Sequence, residues 1–199
     1  MSYVARRTEG GPVLAFTFHG TGGNETQFHS FAEQLLPGAG VVSPRGDVSE
    51  MGALRYFRRT GEGVYDMDDL SRRTEAMAAF LADERQKAGA TRVLGLGYSN
   101  GANILAAVAF LHPGVVDDLV LLHPLIPWEP APQPGLAGRR VLITAGRRDP
   151  ICPAPMTERL AEWFGRQGAD LSLVWHPGGH EIAQSELAAV REFTASVAA

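Results

Sequence analysis

The chain predicts an α/β fold: a mostly parallel central sheet of about six to seven strands, helices on both faces, and no large lid domain. Three observations carry this. Apolar strand-like runs alternate with helix-like runs along the whole length. Several strand runs are apolar without period-two alternation, as expected of strands covered on both faces. One such run turns at Gly97-Tyr98-Ser99-Asn100-Gly101 directly into a long apolar helical stretch.

Taken in order, the first strand is expected at residues 13–18 (VLAFTF), followed by a glycine-rich turn and a helix over 25–36. A short strand at 41–43 (VVS) ends against Pro44. A long helix is expected over 69–87, then a strand at 92–96, in which Val93, Leu94 and Leu96 are the buried-strand signal. The helix over 100–111 follows at once. Strands at 118–122 (DLVLL) and 140–145 (RVLITA) come next, then a helix over 156–167 and a strand at 171–175. A final helix over 181–196 places Leu187, Val190, Thr194 and Val197 on one face. Two excursions, 44–66 and the proline-rich 124–139, leave the carboxyl ends of strands, where open α/β sheets keep their ligand crevice.

With 199 residues and 45% hydrophobic content, the chain suits one domain, 1–199, with a sizeable core. A net charge of −4 gives no electrostatic footprint for nucleic acid. The single cysteine, Cys152, forbids an intramolecular disulfide and suits a reducing cytoplasm. The N-terminus has no apolar core of a secretory signal, and no run reaches the ~18 apolar residues of a membrane span, so no membrane insertion is expected.

The chemistry centres on Ser99. A serine on a strained strand-to-helix turn projects its Oγ above the sheet, and Gly97 and Gly101 supply the room such a turn needs. The hydroxyl is a weak nucleophile until a base takes its proton and a carboxylate orients the base. Asp149 follows the strand at 140–145, and His180 follows the strand at 171–175, so the order is Ser99, Asp149, His180. Asp149 could instead only initiate the turn before Pro150. His176, at the strand end itself, competes with His180, but a loop position suits a base that must reach over the serine. Oxyanion donors are expected from the backbone of Asn100 and of Thr21, which lies in His19-Gly20-Thr21-Gly22-Gly23. His19 would brace that turn.

The run Arg55-Tyr56-Phe57-Arg58-Arg59 reads either as a pocket wall, aromatic with a guanidinium, or as a surface turn paired with Asp47, Glu50 or Glu62. Trp128 is expected to join Tyr56 and Phe57 in that wall. His123, at a strand's carboxyl end, either supports the structure or touches substrate. Cys152 reads as a small buried hydrophobe. No His/Cys/Asp spacing suggests a metal, and no glycine loop has nucleotide-binding register, so no cofactor is expected.

The segments HGTGGNE, SPRGDVSE, RYFRR, GYSNGAN, GRRDPICP and GGHEI, in this order, resemble the small bacterial serine carboxylesterases of the phospholipase/carboxylesterase branch of α/β-hydrolases, most of all the subset linked to hydroquinone and aromatic metabolism. The resemblance covers nearly the whole chain. It implies Ser99 as nucleophile, Asp149 as orienting acid, His180 as base, and Thr21 with Asn100 at the oxyanion hole. The chain departs from the family pattern at Asn24 and Met51, where Asp and Asn are usual, positions expected at the pocket rim. The expected activity is hydrolysis of small to medium carboxylic esters. The same machinery would serve thioesters or lysophospholipids, and a silent hydrolase-fold binding protein is the rival from another class. The expected partner is the small-molecule ester, and a homodimer stays open.

Overall fold

Residues 3–197 are described by the computed structural model of the chain. In chain order the elements are β1 (Ala5–Thr8), β2 (Val13–Phe18), α1 (His29–Leu35), β3 (Gly40–Pro44), β4 (Val48–Glu50), β5 (Ala53–Arg55), β6 (Arg59–Gly61) and β7 (Val64–Tyr65). They continue with α2 (Met67–Ala88), β8 (Arg92–Tyr98), α3 (Asn100–Leu111), β9 (Asp118–Leu122), β10 (Arg140–Gly146), α4 (Ala154–Arg166), β11 (Asp170–His176) and α5 (Gln184–Ala195). Seven strands form the main sheet in the order β1-β3-β2-β8-β9-β10-β11. Only β1 is antiparallel to its neighbour; every other pair is parallel. This is the α/β-hydrolase arrangement.

The apolar strand runs feed two cores, one on each face. Along β9, Leu119 and Leu121 pack with α2, α3 and α4, while Val120 and Leu122 pack with α1 and α5. Strand β10 divides the same way, with Val141 and Ile143 on one side and Leu142 on the other. Helix α3 is apolar all round because every residue from Asn100 to Phe110 is buried. Among the described residues no helix is long and apolar enough to cross a membrane.

Three local differences from the expected elements have plain causes. Helix α1 begins at His29, not at residue 25, because Asn24 forms a turn: its Oδ1 accepts from the Thr26 amide at 2.9 Å, and Glu25 pairs with Arg45. Helix α5 begins at Gln184, not at 181, because the Glu181 carboxylate accepts from the Gly179 amide at 3.0 Å. The excursion at 44–66 folds into two small antiparallel pairs, β4–β5 and β6–β7. The first closes through Met51 and Gly52, both at positive φ, and Met51 is fully exposed at its tip. Asn24 and Met51 are therefore turn positions, and neither lines the cleft described below.

Candidate active site

Ser99 sits between β8 and α3 at φ 52°, ψ −118°, a strained conformation for an L residue. Its neighbours leave no choice about side-chain size. A Cβ on Gly101 would lie 2.4 Å from Phe18 O, and one on Gly97 would lie 2.6 Å from Gly101 O. The turn lets α3 start against the end of β2, and it is held by the Ser99 amide donating to Leu122 O at 2.9 Å.

Asp149 and His180, each just beyond a parallel strand, meet Ser99 at the same sheet edge. His180 Nε2 lies 2.9 Å from Ser99 Oγ, and His180 Nδ1 lies 2.7 Å from Asp149 Oδ2. A carboxylate only accepts, so Nδ1 carries the proton and Nε2 presents its lone pair to the serine hydroxyl. Asp149 Oδ1 accepts from the amides of Ile151 and Cys152, at 2.8 and 2.9 Å. Burial works against its charge, but the Cys152 amide, His123 and His180 outweigh it and hold the carboxyl below its ordinary range. Tyr98, inside the pentapeptide, donates to His180 O at 2.7 Å and lays its ring 5.4 Å from the imidazole. Burial and the Asp149 charge push this phenol up to about 12, so it remains a donor.

The glycine turn after β2 is pinned from several sides. His19 Nδ1 donates to Gly20 O at 2.7 Å, and His19 Nε2 accepts from the Gly46 amide at 2.9 Å, which makes this buried ring neutral; burial lowers its pKa accordingly. The Gly22 amide donates to Leu54 O, and the Arg55 guanidinium donates to Thr21 Oγ1 at 2.7 Å. Among the described residues, the amides of Thr21 and Asn100 have no acceptor within the protein, and both residues line the cleft that holds Ser99. The cleft encloses about 280 Å³. A larger groove, about 360 Å³ between residues 126–130 and α4, has no nucleophile–base pair on its walls.

The expected wall residues divide. Arg55 lines the cleft although it is 3% exposed. Tyr56 and Phe57 do not line it: both turn inward and are buried. Tyr56 uses its hydroxyl to accept from the His19 amide and donate to Pro44 O, and Phe57 backs Tyr65 edge-on at 4.8 Å. Trp128 also stands behind the wall, edge-on to Tyr65 at 6.1 Å. His123 is wholly buried and touches Asp149, not the cleft. Cys152 donates its thiol to His123 O, and burial raises its pKa, so it is no thiolate. The rest of the wall is Arg59, as the Arg55–Arg59 run allowed, together with Glu62, Tyr65, Tyr98, Asn103, Leu125 and Ile151, which were not expected. Asn103 and Tyr65 were legible in part: beyond its first residue, Asn100, the apolar helix α3 has Asn103 as its one polar residue, whose amide links Tyr65 OH to the Leu125 amide.

Two trios, the partly buried His123–Asp149–His180 and the buried His123–His176–Glu186, have ligand-type atoms within 4.8 Å of one another. Neither suits a metal. His176 Nδ1 accepts from the Gly178 amide at 3.1 Å, so its Nε2, the atom facing Glu186, carries the proton, and both nitrogens of His123 face carboxylates.

The signature of the dienelactone hydrolase family matches residues 52–194. The chain is 39% identical over 177 residues to MhqD of Bacillus subtilis (strain 168), a protein provisionally assigned as a hydrolase, with 88% of each chain covered. Among solved structures it is similar to Atu2452 of Agrobacterium tumefaciens strain C58, a protein of unknown function, at 53% identity and a TM-score of 0.93, covering 98% of this chain and 96% of that one. It is also similar to the carboxylesterase of Bacillus cereus, at 34% identity and a TM-score of 0.89, covering 98% and 94%.

Proposed function

The chain belongs to the dienelactone hydrolase family and is a hydrolase of the carboxylesterase type; from that premise we propose that it cleaves small to medium carboxylic esters through an acyl-enzyme at Ser99. The observation that carries this reading is the unbroken chain Ser99 Oγ, His180, Asp149, at 2.9 and 2.7 Å, beside two backbone amides without acceptors. Ser99 Oγ attacks the ester carbonyl while His180 Nε2 takes the hydroxyl proton. Asp149 holds the imidazole in the tautomer that leaves Nε2 free and stabilises the imidazolium that forms. The Thr21 and Asn100 amides receive the negative oxygen of the tetrahedral intermediate. His180 returns the proton to the leaving alcohol, which departs with the bonding electron pair. A water, deprotonated by the same nitrogen, then releases the acid and regenerates Ser99.

Arg55 supports this reading from beneath. Its hydrogen bond to Thr21 Oγ1 and its ion pair with Glu50 at 3.3 Å tie the proposed oxyanion loop to the hairpin opposite. A serine-directed fluorophosphonate tests the assignment. We expect a single label, at Ser99, and a loss on the order of 10⁶ in kcat for Ser99→Ala. Labelling elsewhere, or turnover by the variant at the parent rate, contradicts the mechanism.

A further inference from the structure

Behind Asp149 lies a second layer of titratable groups that the mechanism above does not use. His123 follows β9 at φ 50°, a backbone conformation L residues rarely adopt, and precedes Pro124. This places its ring between two carboxylates with no solvent exposure. Nδ1 is 2.8 Å from Asp149 Oδ2, the oxygen that also receives His180. Nε2 is 3.0 Å from Glu186 Oε1, an ion-pair contact somewhat off the N–H axis.

A neutral imidazole has one N–H and one lone pair. Set between two carboxylates, it would have to turn the lone pair against one of them. Glu186 is not relieved by taking the proton itself, because donors already occupy both its oxygens: the Thr144 hydroxyl meets Oε1, and the Ala183 amide meets Oε2 at 2.6 Å. His176, whose Nε2 carries a proton, lies 3.3 Å from Oε2 as well. Around His123 stand Tyr98 from the end of β8, His176 from the end of β11, His180 and Glu181 from the loop beyond it, and Cys152 from the approach to α4. None of these competes for its two nitrogens.

We infer that His123 is a buried imidazolium, protonated throughout the neutral range, and that His123 and Glu186 form a positioning pair that sets how far into acid the Ser99–His180 couple works. The inference rests on the reading of Ser99, His180 and Asp149 given above. Burial disfavours a charge on His123, but Glu186 and Asp149 outweigh it and raise its pKa. The charge count explains why both members are present. Asp149 alone would place one negative charge beside His180. His123 cancels that charge, and Glu186 restores it, so the net charge behind the base is still −1 while Asp149 is gripped by four fixed donors. His180 and His123 have ring centres 5.1 Å apart, close enough for the cation on one to oppose protonation of the other.

The test has two arms. In the first, ¹⁵N-histidine NMR of the wild-type protein at pH 8 is expected to show one ring with both nitrogens protonated, assigned to His123 by its loss in His123→Asn. Six neutral rings overturn the inference whatever the variants do. In the second, His123→Asn keeps a donor at the Nδ1 position, tolerates positive φ and removes the charge. The net charge behind His180 becomes −2, and the acid limb of kcat/KM for p-nitrophenyl acetate should move up by about one pH unit. His123→Asn/Glu186→Gln returns the charge to −1 and should bring the limb back. A purely structural role lowers the plateau without this shift and reversal, and an unmoved limb overturns the inference. Activity independent of Ser99 would instead defeat the reading above, while NMR still reports the charge on His123.

Discussion

At the scale of single residues, the site is decided by which atom of each histidine is committed elsewhere. His19, His123 and His176 all stand at strand ends near Ser99, and each has a ring nitrogen engaged: His19 with Gly20 O and the Gly46 amide, His123 with Asp149, His176 with the Gly178 amide. His180 alone has one nitrogen on a carboxylate and the other on the serine hydroxyl. His180→Ala should therefore remove nearly all ester hydrolysis, by about 10⁴-fold or more in kcat. His176→Ala, which removes the Gly178 amide's acceptor and a 3.3 Å contact to Glu186 but nothing on Ser99, should retain activity within about tenfold. Steady-state kinetics on one soluble ester decides between them; if His176→Ala is the dead variant, the base has been misassigned. Position on a loop beyond its strand was enough to prefer His180 from sequence. The role of His123 was not legible, since nothing in Leu122-His123-Pro124 signals that its backbone adopts positive φ and turns the ring under Asp149.

At the scale of elements, the central strands that carry the site were legible because they are apolar on both faces, and the small strands that shape it were not. The sheet strands β2, β8, β9 and β10 each read as a continuous apolar run. Strand β1, with the sequence ARRT, has no such signal; it is an edge strand whose Arg7 pairs with Glu84 of α2. The pairs β4–β5 and β6–β7 are two or three residues long and charge-rich, so neither periodicity nor composition marks them. What holds them is tertiary: the Leu54 carbonyl takes the Gly22 amide, and Arg59 pairs with Glu50 and Glu62. Buried Tyr56 and Phe57 anchor the same segment, which is why an aromatic run that reads as a pocket wall becomes its backing. The β4–β5 turn itself is suboptimal. Met51 is held at φ 49° with its side chain fully exposed, ahead of Gly52 at φ 90°. Asn tolerates that conformation far better than Met, and Asn-Gly is the favoured pair for a two-residue hairpin loop. Met51→Asn should stabilise the fold by about 0.5–1 kcal/mol and raise Tm by ~1–4 °C. Scanning calorimetry checks it. Because Met51 is fully exposed and does not line the cleft, kcat/KM should stay as it was; a loss of stability would mean the exposed methionine makes contacts this conformation does not predict.

At the scale of the whole molecule, substrate size follows from what the fold leaves over Ser99. The loops that leave the strand ends are short or folded flat: 44–66 lies down as two hairpins, and 124–139 crosses as a proline-rich connection with one short 3₁₀ turn at Pro134–Leu136. Among the described residues no helical insertion roofs the cleft. The space that remains, about 280 Å³, is at the small end of ligand pockets. Charged groups interrupt its wall: Arg55, Arg59 and Glu62 line it, with Glu50 paired to both arginines, and Tyr65, Asn103 and Tyr98 stand around the serine. Only Leu125 and Ile151 offer aliphatic surface beside them. A long acyl chain would have to desolvate these charged groups without replacing their partners, which costs more than its burial returns. Acetyl and butyryl aryl esters should therefore outrun dodecanoyl and longer ones by about tenfold or more in kcat/KM. Rates should saturate while the substrate is still monomeric in solution, since among the described residues no lid hides an apolar face over Ser99. The apolar groove that the fold does expose, around Met67, Leu70, Leu111 and Trp128, has none of the Ser99, Asp149 or His180 side chains on its walls. It gives no route for a chain to reach the serine. The deciding measurement is a series of p-nitrophenyl esters of increasing acyl length, run below and above their aggregation thresholds. A jump in rate on emulsified long-chain substrate, with poor turnover of acetate and butyrate, would require the β6–β7 hairpin to move aside and open a channel past Arg59 and Tyr65.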